Sequence, residues 1–440
     1  MQKLSKRSPW WWIPTLYVAE GLPYFAVNTL TVLMYVNLGI SKSEMTFFTG
    51  WLYLPWVIKP FWSPFVDIFG SKRGWTIVMQ LLIALSMGAV GFLLPTSTFF
   101  STTLVVFWLM AFFSATHDIA ADGYYMLELD STQQAAFVGV RSTFYRLASI
   151  LGQGGLVILA GELETRLGNI PKAWSLTFLL LSAFFFAITI YHLFFMPRSP
   201  HDKPVVENSV KSIIRNFFMT FVTFFKKRYI LSALLFMLLY RFPEALCIKM
   251  VQPFLVDSRA LGGLGLTTAG VGFVNGTVGV IALLAGGIIG GLAIARGGLK
   301  KWIWPMAASL TLPCALYCLL SMTLTENFFW ICTAVGVEQF GYGFGFTAFM
   351  MYLIYFSQGE NSTSHYAFCT AFMALGMMLP GMAAGWIYER LDEISFFGYN
   401  HPEGYILFFW FVLLSSLVTF IAVALSRPFL NSLKKINQLL

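Results

Sequence analysis

The stretch SATHDIAADGYYMLELD (114–130) sets a histidine and two aspartates, His117, Asp118 and Asp122, directly behind the apolar run STTLVVFWLMAFF (101–113). Asp118 and Asp122 are spaced i,i+4, about 40° apart around a helix, and so share one face. Two carboxylates that close disfavour double ionisation unless a cation stands beside them. A carboxyl that takes up and gives up a proton inside an apolar segment is what a proton-coupled carrier needs. Lys59 and Arg146 are the bases expected to hold the second acid ionised. His117 is expected to pack or to hydrogen-bond rather than to relay protons. An acyltransferase reading of His-x-x-x-x-Asp is disfavoured, because His117 and Asp122 point about 140° apart on a straight helix.

Composition says where these residues live. Of 440 residues, 58% are hydrophobic and 11% charged, with 45 Phe and 14 Trp. Soluble domains carry about 25% charged residues, so the chain reads as an all-α, polytopic membrane protein. The five cysteines, Cys247, Cys314, Cys318, Cys332 and Cys369, lie in apolar runs with no spacing that suits a metal or a disulfide framework. Neither a metal nor a cofactor is expected. The start, MQKLSKRSPWWWIP, lacks a short apolar core with a small-residue cleavage site, and is expected to lead into a retained first helix.

A spanning helix needs about 20 apolar residues. Segments near 10–37, 44–66, 74–95, 101–127, 135–160 and 173–196 meet that test, as do those near 229–256, 267–295, 301–323, 328–356, 363–388 and 404–427. Twelve transmembrane helices are therefore expected, six on either side of a polar stretch. The domains follow: a bundle over 1–197, a linker over 198–228 and a second bundle over 229–440. Eighteen Lys and Arg fall on the side of the termini and the long linker, against five in the opposite loops. The positive-inside rule then puts both termini in the cytoplasm. The net charge of +8 reflects this asymmetry and calls for no nucleic acid.

Charges at membrane depth cost roughly 2.5–3.5 kcal/mol each, so they are rare and usually functional. The apolar segments hold five acids, Glu20, Asp118, Asp122, Glu244 and Glu338, and five bases, Lys59, Arg141, Arg146, Arg241 and Lys249. Such a balanced set is expected to neutralise itself around a polar cavity. Asp118, Asp122, Arg146 and Lys59 are the expected proton-coupling residues. Glu20, Arg241, Glu244 and Glu338 are expected to bind substrate, with Tyr24, Tyr125 and Tyr342 stacking on a sugar or another planar ligand. Glycine runs such as RLASILGQGG (146–155) and NGTVGVIALLAGGIIGG (275–291) let helices approach closely and slide.

The loops SPFVDIFGSKRGW (63–75) and GGLAIARGGLKKW (290–302) occupy corresponding places in the two halves, a sign of duplication. Both resemble the major facilitator loop pattern G-x-x-x-D-[RK]-x-G-[RK]-[RK]. The pieces EGLPY (20–24), IKPFWSPFVD (58–67), SATHDIAADGYY (114–125), FYRLASILGQGG (144–155), LYRFPEAL (239–246) and EQFGYGFGFTAFM (338–350) widen the likeness. Together they resemble the AmpG-like muropeptide permeases of the major facilitator superfamily, over nearly the whole chain. Acetyl-CoA transporters are a more remote relation. The resemblance implies two six-helix bundles, alternating access, and import of anhydro-muropeptides driven by the proton gradient across a bacterial inner membrane. A monomer working on a small-molecule substrate, protons and the lipid bilayer is expected. Another cargo (oligosaccharide, siderophore or acyl-CoA-like anion) is the first alternative. A membrane-embedded acyltransferase is the second, and the chain holds none of the H-E-x-x-H, G-x-S-x-G or P-loop motifs.

Overall fold

A computed structural model describes residues 8–200, 202, 215, 218–359 and 362–436, all helix and connecting turn with no strand among them. In chain order the helices begin with α1 (Ile13–Phe25), α2 (Thr31–Asn37), α3 (Lys42–Trp51), α4 (Leu54–Ile68) and α5 (Lys72–Leu93). They continue with α6 (Phe99–Glu128), α7 (Ser131–Ile150), α8 (Leu156–Leu167), α9 (Ile170–Phe195), α10 (Ile230–Leu239) and α11 (Phe242–Val256). The rest are α12 (Thr268–Val271), α13 (Val280–Gly297), α14 (Leu299–Thr311), α15 (Cys314–Thr323), α16 (Phe328–Ser357), α17 (Ser362–Asp392), α18 (Gly404–Leu425) and α19 (Arg427–Ile436). Nine helical stretches among the described residues are long and apolar enough to cross a membrane. The other three segments marked in the sequence are helical as well. One is α1 joined to α2 by a π-helical Ala26–Leu30, one is α3 and α4 either side of a turn, and one is α16.

The long helix α5 turns an apolar face outward and keeps its polar groups within. On α5, Val78, Leu81, Leu85 and Phe92 are exposed, while Thr76, Gln80 and Ser86 are buried. That inside-out pattern suits a lipid surround, where backbone groups must be satisfied within the helix and side-chain polarity belongs inside. The helix ends are capped locally. Ser71 accepts the Gly74 N–H, Asn169 accepts that of Lys172, and Asp130 with Gln133 closes a capping box. Arg73 of the loop motif donates to the Leu193 and Met196 carbonyls at the C-terminus of α9, at 2.6 and 3.0 Å. The Asp202 carboxylate accepts the Lys72 and Arg73 N–H groups at the start of α5. Unpaired groups at two helix ends are thereby satisfied in one place.

The chain forms two compact units, Met1–Met34 with Ile58–Phe217, and Tyr35–Val57 with Phe218–Leu440. This division follows packing rather than chain order, and α3 groups with helices far along the sequence. Its partner is α17. No Cβ fits at Gly385 against the Lys42 carbonyl, nor at Gly50 against Met382, so the two helices lie backbone to backbone. Polar contacts fasten them. The Ser43 N–H donates to Glu389 at 2.8 Å, and the Gly385 N–H donates to the Thr46 hydroxyl at 3.0 Å. Lys42 also pairs with Asp257 at the end of α11, at 2.7 Å. Within the linker expected over 198–228, residues 201, 203–214, 216 and 217 lie outside the described residues.

The loop before α18 is organised by one acid. Glu403 accepts the backbone N–H groups of Phe396, Phe397 and Tyr399 at 2.7–2.9 Å. These bonds, that of Phe397 foremost, hold its carboxyl down at about 2. A carboxyl lowered in the folded state contributes stability above the ordinary carboxylate range, and that contribution fades as pH falls towards 2. Glu403→Gln should therefore speed protease cleavage within 393–403 several-fold at neutral pH, as read by limited proteolysis. Unchanged cleavage would show that the loop is held by other means.

Candidate functional site

The first unit gathers three acids and two bases around α6. Asp118 and Asp122, one turn apart, point to different partners. Asp118 pairs with Lys59 of α4, and Asp122 pairs with Arg141 of α7 at 2.7 Å. The Tyr17 hydroxyl of α1 also donates to Asp122, at 3.1 Å. The Arg141 guanidinium stacks 4.6 Å from the Tyr17 ring and 5.6 Å from that of Tyr125. Glu20, one turn beyond Tyr17 on α1, completes the group. One carboxylate oxygen from each of Glu20, Asp118 and Asp122 lies within 4.8 Å of the other two.

Local sequence explains how α4 brings Lys59 here. Pro64 has no N–H for the carbonyl of Pro60, four residues earlier, and would leave it unpaired. The Ser63 hydroxyl donates to that carbonyl at 3.2 Å, so the Lys-Pro-Phe-Trp-Ser-Pro run stays helical. On the other side, Gly21 lets α1 approach α7 closely; a Cβ there would meet Ala148 at 2.8 Å and the Tyr145 carbonyl at 3.3 Å. The π-helical segments Ala26–Leu30 and Leu151–Gly155 follow directly on α1 and α7. Such bulges cluster at functional positions in helices.

Accessibility separates this group from the charges of the second unit. The side chains of Lys59, Asp118, Arg141 and Asp122 keep 28%, 20%, 32% and 31% of their surface. Arg241 and Glu244 keep 8% and 5%, locked by two 2.6 Å hydrogen bonds. The Tyr342 hydroxyl accepts from Arg241 at 3.1 Å, and the Phe346 ring lies 4.8 Å from its guanidinium. Glu338 accepts from Gln339 and from the Tyr317 hydroxyl. Lys249 is buried, donating to Thr49 at 3.0 Å beside the Tyr53 ring. The second unit thus holds a packed polar core, whereas the two ion pairs of the first are part-exposed and Glu20 beside them is buried.

The expected site residues are accordingly divided. Glu20, Lys59, Asp118 and Asp122 come together, and Arg241, Glu244 and Tyr342 form a separate group. Tyr125 is buried, with its hydroxyl given to the Gln134 carbonyl, and Tyr24 stands edge-on to Phe25. The base on Asp122 is Arg141 and not Arg146, which forms no ion pair among the described residues. The two arginines are five positions apart, about 140° around α7, so only one can face Asp122. His117 is buried with its Nε2 2.9 Å from the Gln80 amide; the other end of that amide meets His192, and His192 meets Thr15. The chain of contacts ties α1, α5, α6 and α9 together away from the open acids.

The Asp122–Arg141 pair should behave as a coupled unit. Asp122→Asn should destabilise detergent-solubilised protein by about 1–3 kcal/mol, between the limits for exposed and buried pairs. Adding Arg141→Gln should recover most of that loss in a thermal-shift measurement. Losses that simply add would show the pair to be uncoupled.

Comparison with known proteins agrees with this architecture. Residues 15–352 match the family model of the Major Facilitator Superfamily. The anhydromuropeptide permease of Escherichia coli (strain K12) is 28% identical over 391 residues, covering 86% of this chain and 74% of that protein. A putative transporter, AmpG 4, of Rickettsia conorii is 25% identical over 394 residues, covering 87% and 90%. Among solved structures, a bacterial homologue of the human lysosomal transporter Spinster, inward-facing and unoccupied, superposes with a TM-score of 0.71 at 15% identity, over 98% of this chain and 99% of that one. A D-xylose–proton symporter gives 0.66 at 12% identity, over 92% and 95%. This is a transporter fold, multi-pass in a bacterial inner membrane, and not that of an enzyme. From its helices, its family model and its permease relatives, the chain belongs to the Major Facilitator Superfamily.

Proposed function

We propose that this protein is a proton-coupled importer of anhydro-muropeptides, working as a monomer in cell-wall recycling. The observation that carries the reading is the cluster of Glu20, Lys59, Asp118, Asp122 and Arg141 at membrane depth, a buried acid beside two part-exposed ion pairs. Three acids against two bases leave one negative charge when all are ionised. A charge in such a place costs roughly 2.5–3.5 kcal/mol, and one proton removes it. The permease of Escherichia coli, similar over most of the chain, supports the cargo. The chain would comprise twelve helices with both termini cytoplasmic, in duplicated halves over 1–197 and 229–440 about the 198–228 linker. Arg146, with no ion pair among the described residues, would meet a carboxylate of the cargo. Arg241, Glu244, Glu338 and Tyr342 of the second unit would be further cargo-binding residues.

The test is uptake of labelled anhydro-muropeptide into proteoliposomes under an imposed inward proton gradient. Accumulation of up to about tenfold above the level without a gradient is expected for one proton per cargo, since a gradient of one pH unit is worth about 1.4 kcal/mol, or a factor of about ten. Accumulation of a simple oligosaccharide or a siderophore, and not of the muropeptide, would keep the mechanism and replace the cargo. Equal uptake with and without the gradient would refute proton coupling.

A further inference from the structure

We infer that Glu20 is the carboxyl that carries the transported proton, while Asp118 and Asp122 remain ionised as the fixed partners of Lys59 and Arg141. The inference rests on the proton-coupled reading above and assigns its central group. The pairing is the first ground. Each aspartate has a base of its own, and Asp122 also accepts from Tyr17. Glu20 has no base of its own among the described residues.

Burial is the second ground. Glu20 is only 8% exposed and its Oε2 is buried without a hydrogen-bond partner, while one of its carboxylate oxygens lies within 4.8 Å of an oxygen of each aspartate. An ionised carboxylate so placed would carry an uncompensated charge out of water, beside two like charges. A protonated carboxyl has an O–H to offer the neighbouring acids instead.

The surroundings of Glu20 are specific. Asp118 and Asp122 face it from α6, Lys59 from α4, and Arg141 and Tyr145 from α7, with Arg146 in the surroundings of Tyr145. Tyr17 lies one turn back on α1. On α9, His192 is taken up by Thr15 and Gln80. The Leu151–Gly155 segment, LGQGG, adds no ionisable group. In the step itself, hydronium on the outer side gives a proton to the Glu20 carboxylate and becomes water, and the cluster becomes neutral. After the change of access, the Glu20 O–H bond breaks and the proton passes to water on the inner side. The two fixed pairs keep their charges throughout.

Glutamine mimics the protonated acid, so Glu20→Gln should separate transport from coupling. Proteoliposomes holding the wild type or the variant would be assayed for gradient-driven accumulation and for counterflow of preloaded anhydro-muropeptide. The variant should lose driven accumulation and keep counterflow within about threefold of wild type, a difference under 1 kcal/mol. Wild-type counterflow should fall as pH rises on both sides, because it needs the protonated acid, while that of Glu20→Gln stays flat. Driven accumulation by the variant equal to wild type would overturn the assignment and leave proton coupling standing. A folded variant without counterflow at any pH would also overturn it, and return Glu20 to direct cargo binding. Wild-type accumulation under a sodium gradient and not a proton gradient would refute the coupled reading itself, and the assignment with it.

Discussion

Charge at membrane depth has to be balanced where it stands, and that constraint organises this protein. Four helices of the first unit each give a charge to one place: Glu20 from α1, Lys59 from α4, the two aspartates from α6 and Arg141 from α7. Removing any member of the two ion pairs leaves its partner uncompensated in a poor solvent for ions. The surrounding devices make the meeting possible. Ser63 repairs the helix that carries Lys59, and Gly21 lets α1 reach α7. The balance is incomplete by one charge, and a carrier can use that gap.

The second unit solves the same problem by closure. Its Arg241–Glu244 pair is bidentate and nearly inaccessible, Glu338 is satisfied by neighbours, and Lys249 rests on a hydroxyl and a ring. Packed pairs of this kind hold helices in register and exchange little with water. Open pairs can exchange protons or meet a ligand. The two ion pairs of the first unit keep 20–32% of their side-chain surface, against 5–8% for the Arg241–Glu244 pair. Fastening α3 to α17 by glycine contacts and by hydrogen bonds from Ser43 and Gly385 shows how a segment early in the chain is built into this unit.

Much of this was legible in the sequence, because lipid leaves few choices. Hydrophobic lengths marked the helices, and the same physics made Glu20, Asp118, Asp122, Lys59 and the arginines conspicuous. The i,i+4 spacing put both aspartates on one face. Which arginine would meet them was not legible. Arg141 and Arg146 lie on different sides of α7, and the rotation of a helix about its axis is set by packing against neighbours. A tally of five acids and five bases likewise hid the local imbalance, since balance over a chain says nothing about balance within a few ångströms. The grouping of α3 was equally invisible, being written in the fit of Gly50 and Gly385 to their neighbours.

The central claim is that the cluster lacks a single positive charge and that one proton fills the gap in each cycle. The direct measurement is the coupling ratio, obtained by finding the outward cargo gradient that just cancels a known inward proton gradient in proteoliposomes. One proton per cargo molecule, after allowance for the cargo's own charge, is the predicted balance point. A null point that ignores the proton gradient, or one that requires two protons, would contradict the account.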